Sequence, residues 1–451
     1  MTTSGEFSNI DRIAKFATSV RTEDIPEKVI QLGRMCVVDW FGVAIGAHTD
    51  ETAEAVRRAA KVIWPSRGKS MVLLGAPAPA AAAALINGTM AHCLDYDDTH
   101  IGSVAHLSGA TLAAALAAGT EIGAPAERIL RAQICGFEVG ARLGIGDFGS
   151  CLNHRGWHST GVLACLAATT AACIVHEFDE DHTRHALGAA ATQVGGLTAS
   201  FGTMSKPFHA GKAALNAILA VELARAGFQS RLDLLEPDGG LGLALVQDGS
   251  ARIPKILFDR DWEVSKNTFK PYASCLLTHP LIDAARALRS EIGNRDVTSI
   301  TAYVNPMTPK LAGKTRVRTS LEGKFSAAFC IAMALKGHAL TYEDFRPANV
   351  ENPDIAALAD KVVLTVEDGM PKVAARVVIQ FSDDAVAEKR INHALGNPEN
   401  PMGLSDMKRK FDGLVKPVIG RDAARLFDAL VGFDKVDVSE VVSLTGQRRA
   451  A

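Results

Sequence analysis

The chain has 451 residues, of which 47% are hydrophobic and 22% charged, and its formal net charge is −2. This length predicts two or three domains, because a single hydrophobic core rarely serves more than about 250–300 residues. A net charge so close to zero argues against nucleic acid or an anionic membrane surface as a partner.

The N-terminus lacks the basic segment and apolar core of a secretion signal, and no uninterrupted apolar run is long enough to span a bilayer. Eight cysteines are scattered without CxxC spacing, which is typical of free thiols and not of disulfides or a zinc site. We therefore expect a cytoplasmic protein.

Helical periodicity dominates the first part of the chain. Apolar residues recur every three or four positions through residues 10–47, and residues 70–74 are the only short β-like run. Further helices are predicted at 52–62, 79–94, 110–118, 126–143 and 162–175.

The pattern changes after residue 261. Runs rich in Val, Ile and Thr predict strands at 297–304, 362–366, 373–381 and 386–391, with helices at 280–292, 325–335, 353–358 and 405–430. We therefore predict a mostly α protein, in which a smaller α+β lid domain is inserted into a large all-helical domain. The predicted boundaries are 1–266 and 397–451 for the helical domain and 267–396 for the lid.

The segment HCLDYDDTHIGSVAHLSG (92–109) concentrates carboxylates and histidines between two apolar helices. Ionisable groups are costly to bury unless they are paired or used, so this segment predicts one wall of an active site. Asp95 and Thr99 are four residues apart and would share a face if the helix continued through them. His92 in the same segment fits a core histidine better than a functional one.

Three apolar helices begin beside a basic or protonatable residue. Their predicted N-caps are Ser108, Ser159 or Thr160, and Ser205. The adjacent residues are His106, His158, and Lys206 with His209. Helix N-termini attract anions, so three converging N-termini would form a pocket for a polyanion that already holds proton-transfer groups.

Six motifs in a fixed order resemble the MmgE/PrpD family, which includes 2-methylcitrate dehydratase, cis-aconitate decarboxylase and iminodisuccinate epimerase. They are HCLDYDDTH (92–100), HLSG (106–109), RGWHSTG (155–161), FGTMSKPFHAG (201–211), KPYASCLLTH (270–279) and KFSAAF (324–329). The resemblance covers nearly the whole chain. It implies a helical domain with an α+β lid, a homodimer, and no metal or organic cofactor.

The resemblance also implies which residues form the site. Family active-site positions match Asp95, Thr99, His106, His158, Lys206 and Lys270. The position of Cys275 is a histidine in the decarboxylase, a carboxylate in the dehydratase and a cysteine in the epimerase, and Phe329 replaces a frequent tyrosine. We assign catalysis to His106, His158, Lys206, Asp95 and Cys275, and substrate binding to Thr99, Lys270, His209 and His279.

These residues predict an enzyme that binds a small di- or tricarboxylate and removes a proton beside a carboxylate. Dehydration of a 2-methylcitrate-like hydroxy acid is the favoured reaction. Epimerisation of an iminodisuccinate-like substrate and cis-aconitate-type decarboxylation are the alternatives. A carboxylate-binding protein without catalysis is an alternative from another class, supported only by Phe329.

Overall fold

The computed structural model describes residues 7–236, 240–258, 261–293 and 295–446, and it confirms a mostly α fold with a smaller α+β part. The helices of the first part are α1 (Asn9–Ser19), α2 (Glu27–Gly46), α3 (Glu51–Ile63), α4 (Ala80–Cys93), α5 (Leu107–Ile122), α6 (Ala126–Gly144), α7 (Phe148–His154), α8 (Ser159–Val175), α9 (Glu180–Ala191), α10 (Ser205–Arg225) and α11 (Leu241–Leu245). A two-residue strand, β1 (Thr99–His100), follows α4.

The centre of the helical part is formed by α4, α5, α8 and α10, which pack against one another. Every residue of α8 is buried, as are residues 107–119 of α5. Small residues permit this close packing: a Cβ on Gly211 of α10 would lie 2.4 Å from the carbonyl oxygen of Leu85 on α4. The abundance of alanine and glycine in these helices therefore reflects backbones in near contact.

The α+β part begins after β2 (Asn267–Thr268), which pairs antiparallel with β1. It contains α12 (His279–Ile292), β3 (Val297–Val304), α13 (Thr308–Ala312), α14 (Ser320–Gly323), α15 (Ala327–Lys336), α16 (Pro347–Val350), α17 (Pro353–Ala359), β4 (Val362–Val366), β5 (Ala375–Phe381) and β6 (Val386–Ile391). All four predicted strands are present, with β5 starting two residues later than predicted.

The four longer strands form one sheet in the order β4-β3-β5-β6. Strands β3 and β4 are parallel, with Ile300 opposite Val362, and the other two pairs are antiparallel. Helix α12 packs on β5 and β6, while α15 packs on α12 and β4. Burial alternates along β5, so one face of the sheet supplies the core beneath these helices.

The chain then returns to helix in α18 (Leu404–Ile419), α19 (Asp422–Val431) and α20 (Val438–Thr445). Helices α18 and α19 pack on α2, and Arg34 of α2 forms an ion pair with Asp434. These contacts support a return to the helical domain, although the three boundaries themselves stay a prediction. The single helix predicted at 405–430 is broken at Gly420, where φ is +63°.

One expectation from the sequence is wrong in detail. Residues 70–74 form no strand, because Ser70 makes only an isolated bridge with Ala78. Helix α2 is long and apolar enough to cross a membrane, but 78% of its most apolar 18-residue stretch is buried inside the protein. It is the core helix on which α18 and α19 pack.

Candidate active site

The charged segment after α4 is a tight turn and not a helical continuation. Helix α4 ends at Cys93, and Asp95 lies in the left-handed region with φ +51°. Aspartate tolerates this conformation better than most residues, although glycine is usual at the end of a helix. Thr99 lies beyond the turn in β1, so the expectation that Asp95 and Thr99 share a helix face is wrong.

Three buried lysines from the second half of the chain hold this turn by its backbone. Lys324 Nζ donates to the carbonyl of Leu94 (2.8 Å), Lys270 Nζ to that of Asp95 (2.9 Å) and Lys410 Nζ to that of Tyr96 (2.6 Å). Carbonyls at a helix C-terminus lack intrahelical donors and carry partial negative charge, which suits cations. We call Lys270, Lys324 and Lys410 the lysine clamp.

The carboxylate of Asp95 lies between two lysines. Its Oδ1 accepts a hydrogen bond from Lys206 Nζ and lies 3.2 Å from Lys270 Nζ. Burial alone would raise the pKa of Asp95, but the two lysines lower it below its ordinary value. The strands β1 and β2 bring the turn and the Lys270 segment together, since Thr99 pairs with Thr268.

Three oxygen atoms surround one ring nitrogen of His106. Its Nδ1 lies 3.0 Å from the carbonyl oxygen of Asp98, 3.3 Å from Asp97 Oδ2 and 3.2 Å from Thr99 Oγ1. A carbonyl oxygen can only accept, so Nδ1 must carry the proton and Nε2 the free electron pair. Burial lowers the pKa of His106, and Lys270 and Lys206 act in the same direction against Asp97.

Asp97 also serves a second imidazole. Nδ1 of His92 lies 2.8 Å from Asp97 Oδ2, and the rings of His92 and His106 are 4.6 Å apart. The two histidines lower the pKa of Asp97 well below its ordinary value, although burial opposes them. His92 is therefore a buried member of the His106 hydrogen-bond cluster.

His158 is oriented by a third histidine. Its Nδ1 lies 2.9 Å from Nδ1 of His209, and its ring meets Phe201 edge-on at 4.9 Å between centroids. Burial lowers the pKa of His158 well below its ordinary value, with Lys206 acting in the same direction. Burial and Lys206 also lower the pKa of His209 to about 4. Both rings are therefore neutral near pH 7.

The predicted N-caps differ from those observed. His106 and His158 are themselves the cap residues of α5 and α8, Met204 caps α10, and none of the three makes a side-chain cap hydrogen bond. Ser108 instead donates to Asp98 Oδ2 (2.6 Å). The helix starts nevertheless come together, because the backbone N–H of His106 donates to Thr160 Oγ1 in the first turn of α8 (3.1 Å).

One cavity is lined by most of the predicted site residues. Its polar lining comprises Asp95, Thr99, His106, His158, Lys206, Lys270 and Cys275, with Asn153 and Lys372. Its apolar lining comprises Ile101, Val104, Phe201, Leu276, Leu277, Met307, Leu311 and Phe325. The structure thus joins groups from both halves of the chain, including the predicted pair Lys270 and Cys275, around a single space.

Two predicted binding residues do not line this cavity. His209 lies behind His158, and His279 is fully buried against Tyr272 with Nε2 3.3 Å from the carbonyl oxygen of Ser274. Burial lowers the pKa of His279 to about 3. The pKa of the Cys275 thiol is raised, because burial and the charge of Asp95 outweigh the opposing effect of Lys270. It is therefore a neutral thiol and not a thiolate near pH 7.

Among the described residues, His92, Asp97 and His106 are the group whose ligand atoms lie close enough to hold a metal ion, within 4.8 Å of one another. Nδ1 of His106 carries the proton that faces the Asp98 carbonyl, so that nitrogen is not a free ligand. The arrangement fits a hydrogen-bonded acid–base cluster better than a metal centre. Independence from metal stays a prediction.

Sequence reasoning missed several residues of the site. Asp97 and the clamp residues Lys324 and Lys410 were not assigned, nor were Phe201 and Phe325 in the cavity wall. Lys324 opens the KFSAAF motif, and a lysine directly before an apolar helix was a usable signal. Lys410 lies among other charged residues of α18, where nothing in the pattern distinguishes it.

Comparisons with known proteins identify the family of the chain. Residues 11–253 match the MmgE/PrpD N-terminal domain and residues 272–432 the MmgE/PrpD C-terminal domain. The cis-aconitate decarboxylase of Aspergillus terreus is 27% identical, over 96% of this chain and 94% of its own length. The human cis-aconitate decarboxylase is 24% identical, over 88% of this chain and 86% of its own. The predicted resemblance is confirmed, and the chain belongs to the MmgE/PrpD family.

Proposed function

We propose that the protein is a lyase that moves a proton at the carbon beside a carboxylate of a small polycarboxylate, without metal or cofactor. The observation that supports this most is the Asp97–His106 pair, whose hydrogen bonds leave Nε2 of His106 as the basic nitrogen. The same cavity presents Lys206 and Lys270, the cations that a carboxylate needs. The proposed base and the proposed anion-binding lysines therefore line the same cavity.

The residues divide the reaction between them. Lys206, Lys270 and the N-termini of α5 and α8 bind the carboxylate beside the reacting carbon. Nε2 of His106 takes the proton, and negative charge spreads onto that carboxylate as an enolate forms. The two lysines stabilise this charge in a cavity that excludes most water. His158 lies on the cavity wall 6.0 Å from His92, between ring centroids, and is the candidate partner acid or second base.

The origin and fate of the carbanion distinguish three reactions. The names of the relatives favour decarboxylation of a cis-aconitate-type acid, in which the electron pair of the broken C–CO₂ bond becomes the carbanion and CO₂ leaves. A solvent proton, carried by the imidazole of His106 or His158, is then delivered to carbon. Loss of β-hydroxide would make the protein the 2-methylcitrate-type dehydratase expected from the sequence. Return of the proton to the other face would make it an epimerase. The neutral acid–base pair serves each reaction equally, so the names of the relatives are what place decarboxylation first.

Incubation in D₂O with cis-aconitate, 2-methylcitrate and related acids, followed by NMR, tests the proposal. An active lyase releases CO₂ or water from one substrate and incorporates deuterium into the product beside a carboxylate. Binding without product or deuterium exchange would support the alternative of a non-catalytic carboxylate-binding protein. No binding of any member of the panel would contradict both.

Metal removal tests the cofactor proposal separately. Dialysis against EDTA should leave turnover unchanged, because Asp97 and His106 already satisfy each other by hydrogen bonding. Full loss of activity that Zn²⁺ or Fe²⁺ restores would contradict it.

Size-exclusion chromatography with light scattering tests the proposed homodimer.

A further inference from the structure

We infer that the substrate carries an apolar substituent, so that the protein acts on an alkyl- or aryl-substituted dicarboxylate and not on a bare tricarboxylate. This inference rests on the proposed function and narrows its substrate class. The juxtaposition that supports it is a cavity with a charged floor, an apolar wall and an opening to the outside.

The charged floor suits two carboxylates. Among the described residues that line the cavity, the lysines are Lys206, Lys270 and Lys372, and the only carboxylate is Asp95. The two lining histidines, His106 and His158, are neutral near pH 7, since their pKa values are lowered. The described part of the chain contributes no arginine to this lining. The surplus of two positive charges matches two carboxylates in the inner cavity, and a third carboxylate would have to extend to Lys310 or Lys314 in the groove outside it.

The apolar wall begins directly beside the floor. The rings of Phe201 and Phe325 lie 5.7 Å apart, and Lys206 Nζ is 5.1 Å from the ring centre of Phe325. Phe201 also contacts His158. A substituent on the reacting carbon, or on the carbon next to it, would therefore contact these aromatic rings directly beside the lysines. Water or a third carboxylate placed there would lose hydrogen bonds.

The wall continues outward and gives the substituent room. The inner cavity has a volume of about 80 Å³, and Asn153, Phe201, Met307 and Leu311 line both it and an adjacent outer groove of about 490 Å³, whose further lining is mixed and includes Lys310 and Lys314. Pockets that bury a whole ligand usually have about 300 Å³ or more, so the inner cavity holds a head group only. A substituent would extend along Phe201, Met307 and Leu311 into the outer groove.

Isothermal titration calorimetry with succinate and its 2-methyl, 2-propyl and 2-pentyl derivatives tests the inference. Each CH₂ buried against the wall should tighten Kd about fourfold, the change expected from about 0.8 kcal/mol per methylene. cis-Aconitate should bind more weakly than the pentyl compound. Equal or weakening affinity along the series, or tightest binding of cis-aconitate, would overturn the inference while leaving the proposed function intact. Failure of every acid to bind would contradict both.

Two variants locate the effect. Leu311→Asn, in the half-buried helix α13, should reduce the gain per methylene to less than about twofold, because the chain then meets an amide. Met307→Gln tests the same wall if the first variant does not fold. The matched control is Leu404→Asn at the start of α18, where the leucine is 50% exposed and far from the cavity lining. An unchanged slope in both wall variants would contradict the inference.

Discussion

At the level of single residues, the charge of Asp97 reinforces the Nδ1 protonation of His106 that the Asp98 carbonyl requires, and so supports Nε2 as the base. Replacing Asp97 with Asn keeps the shape of the side chain but removes the charge that favours the Nδ1-protonated ring. We expect kcat to fall by roughly 10²-fold or more, with a smaller change in KM, as for removal of a positioned base partner. Steady-state kinetics measures this.

His106→Gln provides the direct comparison, with an expected loss of roughly 10²–10⁴-fold in turnover. The control is His182→Gln, because the side chain of His182 is 49% exposed, contacts Asp179 and Phe178 at the start of α9, and does not line the cavity. Turnover within a factor of two of the wild type in both Asp97→Asn and His106→Gln would show that the base lies elsewhere, with His158 the next candidate.

His279 makes a separate prediction, about stability and pH. Its pKa is about 3 in the folded protein and near 6.5 when exposed, so the unfolded chain binds the extra proton between these values. The folded state therefore loses stability as the pH falls below about 6.5. Between pH 7 and pH 5, His279 should lower the free energy of unfolding by about 2 kcal/mol. The variant His279→Gln should not show this decrease.

Thermal unfolding of the wild type and His279→Gln, measured from pH 7.5 to pH 5, tests this. The melting temperature of the variant should fall less steeply with decreasing pH than that of the wild type. Parallel curves would mean that burial does not lower the pKa of His279 in the folded protein, which would contradict this prediction.

At the level of elements, the lysine clamp explains how the turn after α4 is held in a conformation unusual for a non-glycine residue. Lys324 donates to the Leu94 carbonyl and is not among the described residues that line the cavity, so it acts on the reaction through the position of Asp95. Lys324→Met should lower kcat more than tenfold and leave that carbonyl unsatisfied, at a cost of about 1–3 kcal/mol. Kinetics and thermal unfolding together measure both effects.

The control for this variant is Lys336→Met, because Lys336 is exposed at the end of α15 in the same part of the chain. Lys324→Arg should restore part of kcat if hydrogen bonding to the turn is what matters. A Lys324→Met variant that loses stability but keeps its kcat would show that the clamp is structural only.

The sequence predicted the regular elements better than the turn between them. Strand β3 is found with its predicted ends, because alternating apolar residues are a local signal. The Asp95 turn is not predictable in this way, since its partners Lys270, Lys324 and Lys410 lie 175 to 314 residues from the carbonyls they bind. The site residues could be identified from motifs, but the hydrogen bonds that set their roles depend on tertiary contacts.

At the level of the whole molecule, the site exists only because two parts of the chain meet. The turn, the histidines and Lys206 come from the helical part, whereas Lys270, Cys275 and Phe325 follow β2. The inner cavity of about 80 Å³ lies where these two parts meet, so we expect ligand binding and release to involve movement of one part against the other. Access to the cavity should therefore depend on the ligand.

Cys275 reports on that access, because it lines the cavity and has a neutral thiol. With an uncharged alkylating reagent near pH 8.5, a saturating polycarboxylate should slow modification of Cys275, by about 100-fold at 100 times Kd. Cys151 is the internal control, since it is half-buried in α7 and does not line the cavity. Peptide mass spectrometry measures both rates in one sample. Equal slowing of the two cysteines would indicate global stabilisation, and no slowing of Cys275 would place the ligand outside this cavity.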